Sequence, residues 1–243
     1  MSHAGYFRLL KMYADIWARR HCGVVLSGEE LLEARRDRPR LYVVSHPTTW
    51  DLPMLAHLGR NNYYVIVDKG PFAHPLVNWL FNRSGFLKLD GSNADGVIGQ
   101  AQQIAADRKP LIISLYGYGV DFGEKVRPRT GGIRIAHGAG ADIYPVHLMI
   151  EEGKRIMKDF RNHRGESYPF SVFHDTLYFA TICPPLRFEE WSRPQMSYED
   201  YTKVAQQLEA TFLANEARIN AGLRAGTWDG VPRKGGTRKQ IVY

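Results

Sequence analysis

Residues 41–51 read LYVVSHPTTWD and combine an apolar run with a histidine, a proline and an aspartate. Its first part, Leu41–Ser45, is a short run of leucine, tyrosine and valine, which predicts a buried strand. Pro47 then forces a turn, and the threonines after it can cap a helix whose first turn holds Asp51. A histidine therefore leaves the end of a buried strand, and a carboxylate follows at the start of the next helix.

Apolar runs and helical patterns alternate along the rest of the chain, which predicts an α/β fold: a single domain with a mostly parallel sheet flanked by helices. The predicted strands are Leu41–Ser45, Tyr63–Val67, Phe86–Leu89, Leu111–Leu115 and Ile143–Ile150. The predicted helices are Asp51–Leu58, Phe72–Phe81, Asp95–Ala106, Gly131–Gly138 and Tyr198–Ala221, the last with Ser197 as its N-cap. The run Val172–Cys183 is rich in β-branched and aromatic residues and predicts an added edge strand.

The N-terminal segment predicts an amphipathic helix with aromatic residues on its apolar side. Packing against the domain is the commoner role of such a helix, and lying in a membrane interface is the alternative. The apolar residues at helical spacing are Tyr6, Leu9, Leu10, Tyr13, Ile16 and Trp17.

Composition limits the class of protein. The 243 residues are 44% hydrophobic and 23% charged, values typical of a globular domain and not of a disordered chain or a coiled coil. Two cysteines are too few for a disulfide framework, and no apolar run approaches the ~20 residues of a membrane span. We expect a cytoplasmic protein, whose contact with any membrane would be peripheral and from the inner face.

The net charge of +7 lies at the two ends of the sequence. Residues 1–20 carry four basic residues against one acidic residue, and residues 222–243 carry five against one. Basic ends favour an anionic membrane surface or an acidic partner over nucleic acid, and solvated termini are the alternative. Because the composition from Gly222 turns to glycine, arginine, lysine and proline, we predict a domain over residues 1–221 and a basic mobile tail over 222–243.

His46 and Asp51 are the candidate catalytic pair. The sequence has no G-x-S-x-G elbow, no phosphate-binding P-loop and no cluster with metal-ligand spacing, so it predicts no bound metal. Sites in α/β sheets gather beyond the carboxyl ends of strands, where these two residues can meet across the turn. A carboxylate there would fix the imidazole tautomer and leave the other ring nitrogen as a base. The alternative is a purely structural hydrogen bond.

Roughly residues 5–150 resemble the glycerol-phosphate and lysophospholipid acyltransferase family. Its first motif block, His-x-x-x-x-Asp after a strand, is met by His46 and Asp51. Three further blocks follow in the family's order: Lys69–Phe72 with Gly85–Leu87, then Leu111–Gly119, then Thr130–His137 with Ala139–Val146.

The resemblance implies a function. The histidine would take a proton from an acceptor, which attacks the thioester of acyl-CoA or of an acyl carrier protein, while the aspartate orients the histidine. No cofactor or metal is implied, and the acyl donor is a substrate. The residues expected to bind substrate are Lys69, Tyr116, Gly117, Tyr118, Gly119, Arg127 and Arg129, with backbone N–H groups near Gly117–Gly119 as donors to the oxyanion.

The third block departs from its relatives. The family reads Phe-Pro-Glu-Gly-Thr-Arg where residues 116–121 read YGYGVD, and Gly91 stands where the second block has an arginine. Because those glutamate and arginine positions are associated with the glycerol-phosphate acceptor, we expect an acceptor other than plain glycerol phosphate. The alternative is a phosphate site re-supplied by the basic residues Lys125, Arg127, Arg129 and Arg134.

Two other functions stay open from the sequence. The altered third block fits a non-catalytic lipid- or carrier-binding module on the same scaffold. A His–Asp pair also serves a thioester hydrolase, in which water replaces the acceptor.

Overall fold

The computed structural model describes residues 3–33, 37–45, 51, 63–116, 127–151, 153–161, 167–233 and 239–240. Its helices are α1 (His3–His21), α2 (Glu29–Glu33), α3 (Pro75–Arg83), α4 (Ala94–Ala106), α5 (Gly131–Ala139), α6 (Phe188–Trp191) and α7 (Tyr198–Arg224), with a 3-10 helix over Gly70–Ala73. Its strands are β1 (Cys22–Ser27), β2 (Arg40–Val44), β3 (Tyr64–Asp68), β4 (Phe86–Leu89), β5 (Leu111–Ser114), β6 (Asp142–Ile150), β7 (Arg155–Arg161), β8 (Ser167–Phe173), β9 (Thr176–Ile182) and β10 (Lys239–Gln240).

One sheet organises the described residues, in the order β10-β1-β9-β6-β2-β5-β3-β4. All neighbouring strands are parallel except β6 and β9, which pair antiparallel. Strands β7 and β8 form a separate hairpin. The predicted α/β class with a mostly parallel sheet and an N-terminal helix is confirmed.

Helices cover both faces of the sheet, because successive side chains of each buried strand point to opposite sides. Tyr42 and Val44 belong to the apolar cluster that packs under α1, which we call the α1 side. Leu41 and Val43 belong to the cluster under α4, α5 and α7, which we call the α7 side.

The five strands predicted from residues 41 to 150 all form, with ends shifted by no more than one residue. The helix predicted over Phe72–Phe81 is split instead. Pro75 disfavours helical backbone at the residue before it, so His74 is extended and separates a 3-10 turn from α3. Of the predicted helix Asp51–Leu58, only Asp51 lies among the described residues, and it is helical.

The edge-strand prediction for Val172–Cys183 is wrong. A turn divides the run, with β8 ending at Phe173 and β9 beginning at Thr176. Strand β9 is buried along its length between β1 and β6. The sequence does not predict β1, the strand that covers the other side of β9. Strand β1 begins directly after α1, with no glycine or proline between them to mark the boundary.

Residues 222–233 pack on the domain and differ from the predicted mobile tail. Helix α7 continues to Arg224, and Trp228 and Val231 are buried against β1 and β9. The Arg233 guanidinium then makes a bidentate ion pair with Glu151, with Nη2 2.9 Å from Oε1 and Nε 3.1 Å from Oε2. Average composition hides this packing because it does not report that Trp228 and Val231 are buried.

Helix α1 packs on the sheet through Phe7, Leu10, Ala14, Trp17 and Ala18, so the commoner of the two roles expected for it is confirmed. The apolar face drawn from the sequence is only partly right, since the helix has a second, exposed apolar side. Among the described residues, no helix combines the length and the apolar character needed to cross a bilayer.

The packing of the C-terminal segment predicts that its buried tryptophan contributes to stability. Trp228→Ala should lower the free energy of unfolding by about 3–5 kcal/mol, since it empties a buried tryptophan site. Urea unfolding of the full chain measures this. The control is Tyr198→Ala at an exposed aromatic of α7, with an expected change within about 0.5 kcal/mol. Equal, small effects of both substitutions would contradict the packing.

Candidate active site

The end of β2 is locked to β6 immediately before His46. The buried Ser45 hydroxyl donates to the Leu148 carbonyl at 3.1 Å and accepts from the Leu148 N–H at 2.9 Å. The point at which the chain leaves the sheet is therefore fixed. His46 itself lies outside the described residues, so its predicted role stays a prediction.

Asp51 is a fully buried carboxylate, with 0% of its surface exposed. Its Oδ1 accepts a hydrogen bond of 2.9 Å from the Tyr178 hydroxyl. Burying a carboxylate is costly unless hydrogen bonds replace its water, so this bond is part of what keeps Asp51 in the core. Tyr178 pairs with Ile150, the last residue of β6, which puts the carboxylate at the predicted edge of the sheet.

Tyr178 is a fixed donor to Asp51. Burial, and then the negative charge of Asp51, raise the pKa of Tyr178 well above its usual range. The hydroxyl therefore keeps its proton at any physiological pH and does not serve as an acid or a base itself. Because a carboxylate has two oxygens, Asp51 can accept hydrogen bonds from more than one donor.

An aromatic chain holds the Tyr178 ring in place. Phe173 stacks on Tyr178 with ring centres 6.0 Å apart, and Trp17 of α1 meets Phe173 edge-on at 4.8 Å. Such ring contacts restrict the tyrosine to one orientation. Helix α1 is thereby coupled through two rings to the donor of Asp51.

Sequence reasoning missed Tyr178. It lies 127 residues after Asp51, beyond the stretch that carries the motif blocks, and no spacing connects the two. The only signal was indirect: a tyrosine within an apolar run that predicts a buried strand needs a polar partner for its hydroxyl.

Lys69 lies at the end of β3, at the same edge of the sheet. It is exposed, and its Nζ is 3.5 Å from Asp90 Oδ1 at the end of β4. The salt bridge is weak because both groups face water, so the lysine is accessible to a ligand at little cost.

Tyr116 and Arg129 are brought together at the end of β5. The Arg129 Nε donates to the Tyr116 carbonyl at 3.3 Å, and its backbone N–H donates to the Leu115 carbonyl at 2.8 Å. The Tyr116 ring packs on the α7 side, and its hydroxyl donates to Glu209 at 3.4 Å. Its position past β5, beside β2, agrees with the predicted site, whereas its ring lies on the face opposite to Tyr178.

Of the other predicted binding residues, some are described by the structure and some are not. Arg127 is exposed near Arg129. Gly117, Tyr118 and Gly119 lie outside the described residues, as does Lys125, so their roles stay predictions. Arg134, the last member of the basic stretch, faces Asp95 at 3.6 Å across α4 and α5.

Two histidines away from the pair have structural surroundings. His137 bonds through both ring nitrogens, to the Tyr201 hydroxyl at 2.9 Å and to the Arg193 carbonyl at 2.7 Å. His147 stacks on Phe212, and burial, followed by the charge of Arg218, lowers its pKa to about 4.

Both cysteines are buried packing residues. Burial raises the pKa of Cys22 to about 12 and that of Cys183 to about 11, so neither thiol is a nucleophile at neutral pH. The described residues hold no group of three or more histidine, cysteine, aspartate or glutamate side chains placed to bind a metal ion.

The chain is similar to known acyltransferases in sequence and in fold. The acyltransferase family model matches residues 24–149, slightly more than half of the chain, and the chain therefore belongs to the acyltransferase family. No curated protein sequence matches it. Among solved structures it is similar to the crystal structure of the 1-acyl-sn-glycerophosphate (LPA) acyltransferase PlsC from Thermotoga maritima, with a TM-score of 0.60 and 17% identity over 87% of this chain and 80% of that chain. At this identity the likeness supports the fold.

The hydrogen bond from Tyr178 to Asp51 is expected to contribute to the stability of the fold. Tyr178→Phe should lower the free energy of unfolding by about 1–3 kcal/mol, since it leaves a buried carboxylate short of one donor. Urea unfolding measures the loss. Tyr63→Phe is the control, because it removes a hydroxyl from the same apolar cluster, where the ring contacts Phe7 and Tyr42. A loss no larger than that of the control would contradict the role given to Tyr178.

Proposed function

We propose that the protein is an acyltransferase of the lysophospholipid acyltransferase type, which moves an acyl group from a thioester to a hydroxyl or amine of a lipid or specialised-metabolite acceptor. The observation that carries the proposal is the buried carboxylate of Asp51, held by Tyr178 and lying five residues after His46 in a chain of the acyltransferase family. A carboxylate fixed in this way suits the orienting partner of a histidine base.

In this proposal His46 is the general base and Asp51 holds its ring. The imidazole takes the proton of the acceptor hydroxyl or amine as the acceptor atom attacks the thioester carbonyl. The tetrahedral oxyanion then collapses, the carbon–sulfur bond breaks, and the departing thiolate takes the proton from the imidazolium. The products are the acylated acceptor and a free thiol, and the histidine returns to its neutral state.

We assign substrate binding to the ends of the neighbouring strands. Lys69 follows β3, and Tyr116 follows β5 with Arg127 and Arg129 nearby, so these groups follow strands that end at the edge at which Asp51 lies. Backbone N–H groups of the Gly117–Gly119 segment are our candidates for stabilising the oxyanion.

The donor is acyl-CoA or an acyl carrier protein, and the scheme uses neither a cofactor nor a metal. Both donors are cytoplasmic molecules, so we place the enzyme in the cytoplasm, peripheral to the inner face of the membrane. Nucleic acid has no part in the proposal.

We propose an acceptor other than plain glycerol phosphate. The family's second-block arginine and third-block glutamate are replaced, and two of the basic residues that would re-supply a phosphate site have protein partners, Arg129 with Tyr116 and Arg134 with Asp95. A phosphate site would therefore depend on Lys125 and Arg127.

The catalytic pair is tested by thiol release from a mixed acyl-CoA pool, with and without a lipid acceptor extract. His46→Ala and Asp51→Asn should each lower acceptor-dependent release by about 10²–10⁴-fold, because the base is lost or misoriented. His174→Ala, at an exposed histidine outside the proposed machinery, is the matched control and should keep wild-type turnover.

Circular dichroism of each variant shows that the fold is retained. Near-wild-type turnover by folded His46→Ala would refute the mechanism. Wild-type release that ignores the acceptor would instead indicate a thioester hydrolase, and a wild-type protein that binds acyl-CoA and releases no thiol would indicate a non-catalytic module.

A further inference from the structure

Helix α1 has two apolar sides, and only one of them is covered. Phe7, Leu10, Ala14, Trp17 and Ala18 pack on the sheet. On the opposite side a continuous stripe at i, i+3 and i+4 spacing is exposed, with each side chain between 42% and 55% accessible. The stripe consists of Leu9, Met12, Tyr13 and Ile16.

Helix α3 extends this stripe. Of the nine large hydrophobic residues exposed in the described part of the chain, four form the α1 stripe and two more, Leu76 and Trp79, lie on α3. Tyr6 of α1 meets the Trp79 ring edge-on at 5.4 Å, which joins the two helices. Scattered apolar residues are ordinary on a protein surface, whereas six on two touching helices form a patch that marks an interaction site.

The charges around the patch are mostly positive. Arg8 and Arg20 on α1 and Arg83 on α3 are exposed, and the Arg83 guanidinium lies over the Trp79 ring, 5.0 Å from its centre. Lys11 is paired with the one acidic residue of α1, Asp15, at 3.5 Å. An apolar stripe bordered by arginines is complementary to a surface with an apolar interior and negative headgroups.

The patch lies on the same side of the sheet as Asp51. Trp17 on the covered side of α1 contacts Phe173, and Phe173 stacks on Tyr178, the donor to Asp51. A surface bound to α1 would therefore be connected to Asp51 through the helix and the rings of Phe173 and Tyr178.

We propose that the exposed face of α1 and α3 is a docking surface for an anionic lipid bilayer. The face lies in the headgroup region with Leu9, Ile16 and Trp79 toward the acyl chains, while Arg8, Arg20 and Arg83 pair with lipid phosphates. This inference goes beyond the proposed chemistry and does not depend on it. It assigns the expected membrane contact to the N-terminal helix and α3.

Sedimentation with vesicles, without any acyl donor, tests the docking. The full chain should bind vesicles containing phosphatidylglycerol more tightly than vesicles of phosphatidylcholine alone, and binding should weaken as salt rises. Ile16→Glu should reduce binding on the order of tenfold, because it puts a charge in the stripe. Leu213→Glu, which puts the same charge on an exposed leucine of α7, is the matched control and should bind like the wild type.

A second readout uses the wild-type protein. Vesicles of brominated lipid should quench part of the tryptophan fluorescence, and Trp79→Phe should lower that quenching, since Trp79 is the exposed tryptophan of the patch. Absence of vesicle binding by the wild type, or equal binding by Ile16→Glu and the control, would overturn the proposal. So would a wild-type dimer in light scattering that Ile16→Glu converts to a monomer, because the face would then bind a second copy of this chain.

Discussion

The hydrogen bond from Tyr178 to Asp51 is the interaction on which the candidate site depends. A carboxylate with no exposed surface is stable in a core only when donors replace the water it has lost. Tyr178 supplies one donor and keeps its proton, since burial and the adjacent carboxylate raise its pKa. Asp51 thus has a fixed position at the carboxyl edge of the sheet, and a fixed carboxylate is what a histidine base requires of its partner.

The antiparallel pairing of β6 and β9 makes this contact possible. Strand β9 enters the sheet against the direction of β6, so its beginning, with Tyr178, lies beside the end of β6. A parallel strand at that position would bring its last residues to this edge instead. The same pairing sets the Tyr178 ring beneath α1, where Phe173 and Trp17 complete an aromatic chain. The position of Asp51 and the packing of the N-terminal helix therefore share one set of contacts.

The sequence predicts the central block of the fold well because the strands between residues 41 and 150 are short apolar runs bounded by clear turns. It fails where tertiary packing decides. Strand β1 follows α1 without a break, so no turn marks its start. Its Gly23 is required by a contact distant in sequence, because a Cβ there would overlap the Pro232 carbonyl oxygen. Trp228 orders a segment whose composition is that of a tail.

The candidate site shows the same division. Asp51 and Lys69 are accessible to sequence reasoning because they lie in motif blocks with fixed spacing. Tyr178 is not, since its contact with Asp51 spans 127 residues and depends on strand order. The second apolar side of α1 was also hidden, because periodicity reports that a helix is amphipathic without reporting which apolar residues the domain covers.

A double-mutant cycle on acceptor-dependent acyl transfer tests the central claim most directly. kcat/KM is compared for the wild type, Tyr178→Phe, Asp51→Asn and the double variant. If Tyr178 acts by holding Asp51, the tyrosine substitution lowers kcat/KM in the wild-type background and has no further effect once Asp51 is asparagine. The same fold-loss in both backgrounds would contradict the account, because Tyr178 would then act independently of the carboxylate.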